Sequence, residues 1–554
     1  MSVFDFSAKK KHGDDEEISF KEKRFLVVDD LAGMRSSMRT IITTFGGVAI
    51  DMAANAADAL GKMERSSYDI ILCDYDLGSG KDGQVMMEEA KRRKLLKNAS
   101  IFMMVTAERS YERVIGAAEQ APDDYLLKPF VGETLQVRLS RLIRKKRFFV
   151  PILDLMDQQD YRQAIQACDD LLKGNKQFTI ELLRLKGEMF MALGDYGKSK
   201  LMYEQVLAIR EIPWARMGLA KNLFYLKNLE EAAKFFQQVV EDNPNYLEAY
   251  DWLAKCRLAM GSEKEAQEVL KAATAKSPRT LHRQKTLGEV ALDNGDLDVA
   301  QNAFSAVVDY GRYSAYTAPE DYANLGRVFL EKGDTDKTLE VMKDARKAFN
   351  NSPEAMLHTS VIDSLAYEKS GDKAAADEAW KKVKDLSITT GNHSSALSLD
   401  LARVSFQRGE EEEGEKIIQG LIKNNHDNTY ILKRTEGMFK QIGKEEWGKE
   451  LVQEASKELV SINNRAVRTA QAGDLKGAME MLMEAVEKYQ ANNAIVLNAA
   501  HAILAYLQNV EWSEELMGQA RKYLSAAKQR DPDSQKYLML SEMSKEIAAK
   551  NGAR

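Results

Sequence analysis

The sequence predicts an α/β doubly wound domain with a five-stranded parallel sheet, followed by an all-α superhelical solenoid. Three observations carry that fold class. Between residues 24 and 148, short apolar runs alternate with amphipathic helical stretches five times, the signature of a parallel sheet with helices on both faces. From about residue 150 the strand-like runs stop and a Gly-Asp motif recurs, in places with a 34-residue period. Hydrophobic residues make up 44% and charged residues 30% of the 554 positions, enough apolar surface for packed cores, so wholesale disorder is excluded.

The elements follow in order. Residues 1–22 are polar and mixed in charge and read as a flexible tail. The apolar runs are RFLVV (24–28), VAIDM (48–52), DIILC (69–73), SIFMMV (100–105) and DYLL (124–127). Helical patterns lie near 33–46, 55–66, 83–97, 109–120 and 131–148. This domain, taken as 23–148, carries 21 Lys+Arg against 17 Asp+Glu. Its basic excess is concentrated at Arg138, Arg141, Arg144, Lys145, Lys146 and Arg147. A solvated helix face explains that stretch, and a docking patch for an acidic partner is the alternative. Only Pro151 interrupts the passage from the last helix into the repeats, with no Gly/Ser spacer. Motion in the first domain could therefore reach the second, with some hinge at the proline.

In the second region GDYGKS (194–199), NLEEA (228–232), GSEKEA (261–266), GDLDVA (295–300) and GDTDKT (333–338) recur, then GDKAAA, GEEEEG, GKEEWG and GDLKGA to position 478. Ala232, Ala266 and Ala300 are 34 apart, as are Pro244 and Pro278. Phe236, Leu270 and Phe304 each follow the alanine by four, and Leu219, Leu253 and Leu287 keep the same phase. Small residues allow close crossing of two helices and large ones fill the groove. This stretch closely resembles a tetratricopeptide repeat (TPR) array of about nine to eleven helix pairs over 149–530. An early copy, DYRQA, begins it at 160, the spacing loosens after 338, and 485–530 fits poorly. Residues 531–554 supply a capping helix. Phe235, Phe236, Trp252, Phe304, Trp380 and Trp447 are expected in the core, while Asn222, Lys255 and Arg257 are candidates for an exposed or peptide-lining face.

The residues at the strand ends of the first domain carry the chemistry, because functional groups collect at the carboxyl ends of parallel strands. They are Asp29-Asp30, Asp74, Thr106-Ala107 and Lys128-Pro129. Clustered carboxylates repel unless a hard cation such as Mg2+ sits among them. A lysine and a hydroxyl opposite suit a phosphoryl group, and the set suits phosphoryl transfer to an aspartate. FLVVDDLAGMR, DIILCDYDLGSGKDG, MMVTAE and DYLLKPF resemble the receiver domain of two-component response regulators, a flavodoxin-like fold. The resemblance implies Asp74 as phosphoacceptor, with Mg2+ held by Asp30 directly, Asp29 through water, Asp74 and the backbone carbonyl of Asp76. It implies that Lys128 pairs with the phosphate, Thr106 turns toward it and Tyr125 is the aromatic switch. It also implies a cis Lys128–Pro129 peptide.

Two departures stand out. DYDLGSGKDG lacks the usual proline and reaches Gly83 nine residues after Asp74 rather than eight. Asp76 and Glu108 place acids where the family tunes phosphoryl lifetime. A haloacid-dehalogenase-type phosphatase would share the D-x-D of Asp74-Tyr75-Asp76, but its second acidic pair follows the lysine, and here Asp29-Asp30 precede it.

Other classes are excluded or left empty. Net charge is −6, which opposes a general nucleic-acid binder. No apolar run reaches the ~18–20 residues of a membrane span. Three scattered cysteines and six scattered histidines build no local metal site or disulfide framework, and His282, His358 and His501 stand alone. A cytoplasmic setting fits best. No enzyme beyond the receiver's own phosphoryl chemistry is expected. The leading expectation is a phosphorylation-gated adaptor served by a sensor histidine kinase or phosphotransfer protein, whose TPR groove binds a protein ligand. The alternatives are a phosphoryl sink or inhibitor of a partner kinase or regulator, and a constitutive scaffold.

Overall fold

The computed structural model describes residues 18–551 apart from 79–82, 107–121, 175–177, 279, 312–316, 388–392, 426–428, 490–491 and 531–533. The chain divides into two compact units, 1–173 and 174–554.

In the first unit, β1 (Arg24–Val28), β2 (Ala49–Ala53), β3 (Ile70–Asp74), β4 (Ile101–Thr106) and β5 (Asp124–Leu127) form one parallel sheet in the order β2-β1-β3-β4-β5. Alternation within each strand builds two cores. Leu26, Val28, Ile71, Cys73, Phe102 and Met104 pack on one face, and Phe25, Val27, Ile70, Leu72, Met103 and Val105 on the other. Both faces are apolar because helices cover both. The helices Ala32–Thr44 and Ala56–Arg65 fall close to the expected spans, Gly83–Arg92 stops short of the expected 97, and the last helix is Gly132–Asp157. The helix expected at 109–120, with Ala107 and Glu108, lies outside the described residues.

The last helix differs from expectation in length. Gly132–Asp157 runs through Pro151 without ending. Asp157 Oδ1 accepts from Asn98 Nδ2 at 2.7 Å, and Lys146 pairs with Asp123 at 3.0 Å. Arg138 and Arg141 meet Asp124 at 2.9 and 3.0 Å. Much of the basic stretch is thus balanced within its own domain.

The second unit is helical throughout its described residues, from Thr179–Ala192 to Gln535–Lys550. The Gly-Asp motif is the turn inside each repeat. Gly194 takes φ +74 and ends one helix, and Asp195 caps the next by accepting from the Lys198 N–H. In NLEEA, where no glycine is present, Lys227 adopts φ +65 in the same turn. The turn at DYRQA in the first unit is built alike, with Gln159 at φ +61 and the Asp160 N–H bonded to Leu155 O.

Ala232, Ala266, Ala300, Phe236 and Phe304 are all fully buried. Gly288 lies so close to the Phe304 ring that a Cβ there would meet it at 2.8 Å, which is why a small residue recurs at that position. Residues 485–530, a poor match to the repeat pattern, still include the packed helices Asn493–Asn509 and Glu514–Arg530. Ser513 rather than a Gly-Asp pair starts the second of these, accepting from Leu516 N–H.

Candidate functional site: an acidic pocket at the carboxyl edge of the sheet

Strand register brings the candidate residues into one row. Val28 pairs with Cys73, Asp74 with Val105, and Thr106 with Leu127. The next residues along, Asp29 and Lys128, therefore meet Asp74 and Thr106 at one edge. Asp74 and Thr106 end their strands rather than following them, because the ladder extends one residue further than the apolar runs. The pocket sits by β1 and β3, where the chain's strand order reverses direction, the usual place for a ligand in a doubly wound sheet.

Lys128 Nζ bridges two carboxylates, donating to Asp74 Oδ2 at 2.7 Å and Asp29 Oδ2 at 2.8 Å. Asp29 is buried, Asp74 half-buried and Asp30 exposed, and oxygens of all three lie within 4.8 Å of one another. Burial, with some help from the Asp29 carboxylate, holds Asp74 above the ordinary aspartate range even though Lys128 opposes it. Burial also disfavours the Lys128 charge, but its bonds to Asp29 and Asp74 outweigh that and raise its pKa. Three hard oxygen donors with one ammonium among them are underbalanced by cations, and this donor set fits Mg2+.

The surrounding backbone is tightly fitted. Gly83 starts its helix against the end of β3: a Cβ there would lie 2.2 Å from Asp74 O and 3.0 Å from Cys73 Sγ. Gly78, at φ +76, passes Asp30, and its Cβ would lie 3.3 Å from Oδ2. The Asp76 side chain is exposed and accepts from the Gly78 N–H at 3.0 Å. Thr106 is buried, and its carbonyl accepts from Lys128 N–H. Tyr125 is half-buried on β5, and its carbonyl accepts from Arg138 at 2.9 Å. The Lys128–Pro129 peptide is cis.

Sequence reasoning missed Arg35. Its Nη1 donates to the carbonyls of Asp29 at 2.6 Å and Asp30 at 3.0 Å, fixing the backbone that presents both acids. The only signal in sequence was an arginine on the first turns of the helix after the acid pair.

Residues 25–140 match the response regulator receiver domain family, and residues 223–290 and 285–353 match tetratricopeptide repeat families. The chain carries a receiver domain followed by TPR repeats. The receiver is similar to the chemotaxis protein CheY-3 of Vibrio cholerae, 26% identical over 130 residues, which is 24% of this chain and 98% of that protein. It is also 32% identical over 124 residues to the transcriptional regulatory protein ResD of Bacillus subtilis, covering 22% of this chain. The match spans about half of ResD, 49%. Among solved structures, the C-terminal part of a TPR repeat-containing protein from Cytophaga hutchinsonii aligns with 44% of this chain and 96% of its own, at 16% identity and TM-score 0.37. The response regulator CheY4 of Vibrio cholerae aligns with 22% of this chain and 98% of its own, at 25% identity and TM-score 0.20.

In the TPR repeats Trp380 is buried, while Phe235, Trp252 and Trp447 pack partly buried against the cores. Asn222 does not line an exposed face as expected. It is fully buried and donates to Gly218 O, because it lies one turn beyond Gly218, on the side of the helix that meets Tyr203 of the preceding helix. Lys255 stands 4.6 Å above the Trp252 ring, and Arg257 pairs with Glu265 at 3.0 Å. Among the described residues no helix is long and apolar enough to cross a membrane.

Proposed function

We propose that the receiver accepts a phosphoryl group on Asp74 from a histidine phosphodonor, and that this changes what the TPR array binds. The observation that carries the reading is the convergence of Asp29, Asp30 and Asp74 with Lys128 at the edge of a receiver sheet. In the transfer, an Asp74 carboxylate oxygen bonds to phosphorus, the P–N bond breaks, and the donor imidazole leaves with the electron pair. Lys128, held by Asp29, stays beside Asp74 to pair with the incoming phosphoryl oxygens. A divalent cation held by Asp29, Asp30, Asp74 and the Asp76 carbonyl would supply the positive charge that lowers repulsion between carboxylate and phosphoryl oxygens. Arg35 orients the acids through their backbone. Thr106 would turn its hydroxyl toward the phosphoryl group, and Tyr125 would follow it inward. In the domain division that accompanies this reading, the receiver covers 23–148, the array 149–530 and a capping helix 531–554.

The test uses the full chain with Mg2+ and phosphoramidate, a P–N donor. Wild-type protein should gain one phosphoryl group and Asp74→Asn none. Hydrogen exchange of the TPR repeats, with and without beryllofluoride, reads the gating. Altered protection that Asp74→Asn abolishes supports a gated adaptor. Unchanged protection overturns gating in favour of a phosphoryl sink. Failure of wild type to take up phosphate overturns the whole reading.

A further inference from the structure

Solenoid repeats touch their neighbours and little else. Helix Thr429–Gln441 breaks that rule. Its Tyr430 hydroxyl donates to Asp293 Oδ2 at 2.6 Å, across 137 positions of sequence. Its Arg434 Nε lies 3.3 Å from Asp293 Oδ1, and its Lys433 Nζ lies 2.6 Å from Glu263 Oε1, across 170 positions. Residues 430, 433 and 434 share one side of the helix, three and four residues apart. The surface they meet is acidic, made by Glu263, Glu289 and Asp293. Burial raises the carboxyls of Glu289 and Asp293, and Arg434 is the foremost cation opposing that rise at both.

The contact is polar. Among the described residues, the hydrophobic cluster that includes Met438 and Phe439 shares no member with the clusters of the acidic side. On its other side the helix belongs to the core of its own repeat, where Met438 and Phe439 are buried, so opening the contact moves repeats apart and leaves the helix in its repeat. It packs chiefly on Glu445–Gln471 and only slightly on the preceding Glu411–Asn424. The Lys433–Glu263 pair is the exposed part of the contact; exposed ion pairs are individually weak and screened by salt, so this pair closes reversibly where an apolar contact would not.

We propose that Thr429–Gln441 is a latch: a basic helix seated in cis on an acidic docking face formed by Glu263, Glu289 and Asp293. That face fits a basic amphipathic helix, and a partner of this kind reaches it only by displacing the chain's own segment. The latch is independent of the receiver chemistry and is built wholly within the repeats.

The experiment places spin labels at Lys264→Cys and Lys440→Cys of the full chain, both exposed positions, with the three native cysteines buried. Pulsed electron resonance then reads the distance between them. Wild type should give a short, narrow distribution at low salt. Lys433→Glu and Glu263→Lys should each lower the closed-to-open ratio about fivefold or more. The double swap, Glu263→Lys with Lys433→Glu, should restore it, and added salt should open wild type. A fluorescent peptide of residues 429–441 should bind the Lys433→Glu chain more tightly than wild type, and lose that binding when Glu263→Lys and Asp293→Lys are added. Unchanged helix content in the single variants checks that the array stays folded. A wild-type distance that neither charge reversal nor salt alters overturns the latch, as does a wild type already open. Failure of the double swap to restore closure overturns the role of this ion pair. A peptide that binds no opened variant overturns the docking face.

Discussion

Replacing Lys128 with methionine should tighten Mg2+ binding while loosening the metal-free receiver. In the structure the ammonium occupies the charge balance of the pocket, 2.7 Å from Asp74 and 2.8 Å from Asp29, with the lysine and Asp74 side chains 12% exposed and Asp29 5%. Removing one partner from a largely buried pair costs about 3–5 kcal/mol. The loss here falls at or below the low end of that range, about 2–3 kcal/mol, because burial already raises the Asp74 pKa, which eases uptake of a proton once the lysine is gone. An ion entering the same three carboxylates no longer competes with an internal cation. At a partly solvated site that relief is worth about 1–2 kcal/mol, or roughly 5–30-fold in Kd. Calorimetric titration of the full chain with MgCl2 reads the affinity. Hydrogen exchange of β1 and β3 in EDTA reads the lost local stability. The electrostatic account of the pocket fails if Lys128→Met binds Mg2+ no more tightly than wild type, or if β1 and β3 keep their protection without metal.

Further outcomes follow from individual side chains. Gly83→Ala drives a Cβ to 2.2 Å from the Asp74 carbonyl. It should destabilise the receiver by about 1–3 kcal/mol and slow phosphoryl uptake at Asp74, read by thermal unfolding and intact mass; wild-type behaviour in both would contradict the close approach. His358 is buried on its repeat helix among Arg327, Glu320, Asp400 and His393, and burial foremost lowers its pKa from 6.5 to about 4. Between those values the unfolded chain binds a proton that the folded chain refuses. Its contribution to stability is therefore present above pH 6.5 and lost as pH falls toward 4, by about 3 kcal/mol in all. His358→Gln should flatten that part of the stability profile of the repeats, measured by chemical denaturation; an unchanged slope would show that other groups carry it.

The sequence by itself determined the two fold types and nearly all of the acidic pocket. Alternation with helices dictates a parallel sheet, and residues at strand ends must then share one edge whatever lies between them. That is why Asp29, Asp30, Asp74, Thr106 and Lys128 could be gathered from four separate segments. The repeat turn was legible for a similar reason, since a positive φ followed by a helix cap selects Gly-Asp at a fixed place. Lys227 shows the limit of that rule, because a non-glycine residue takes the same positive φ there.

The tertiary structure decided matters of direction and distance. Arg35 reaches the carbonyls of Asp29 and Asp30 through space, and no pattern of residue types announces a side chain bonded to backbone. Asn222 looked like a surface amide until the helix orientation placed it in the core. The meeting of Tyr430, Lys433 and Arg434 with Glu263 and Asp293 depends on how successive helix pairs rotate against one another. Local sequence sets each small rotation, but the contact arises only from their sum over many repeats.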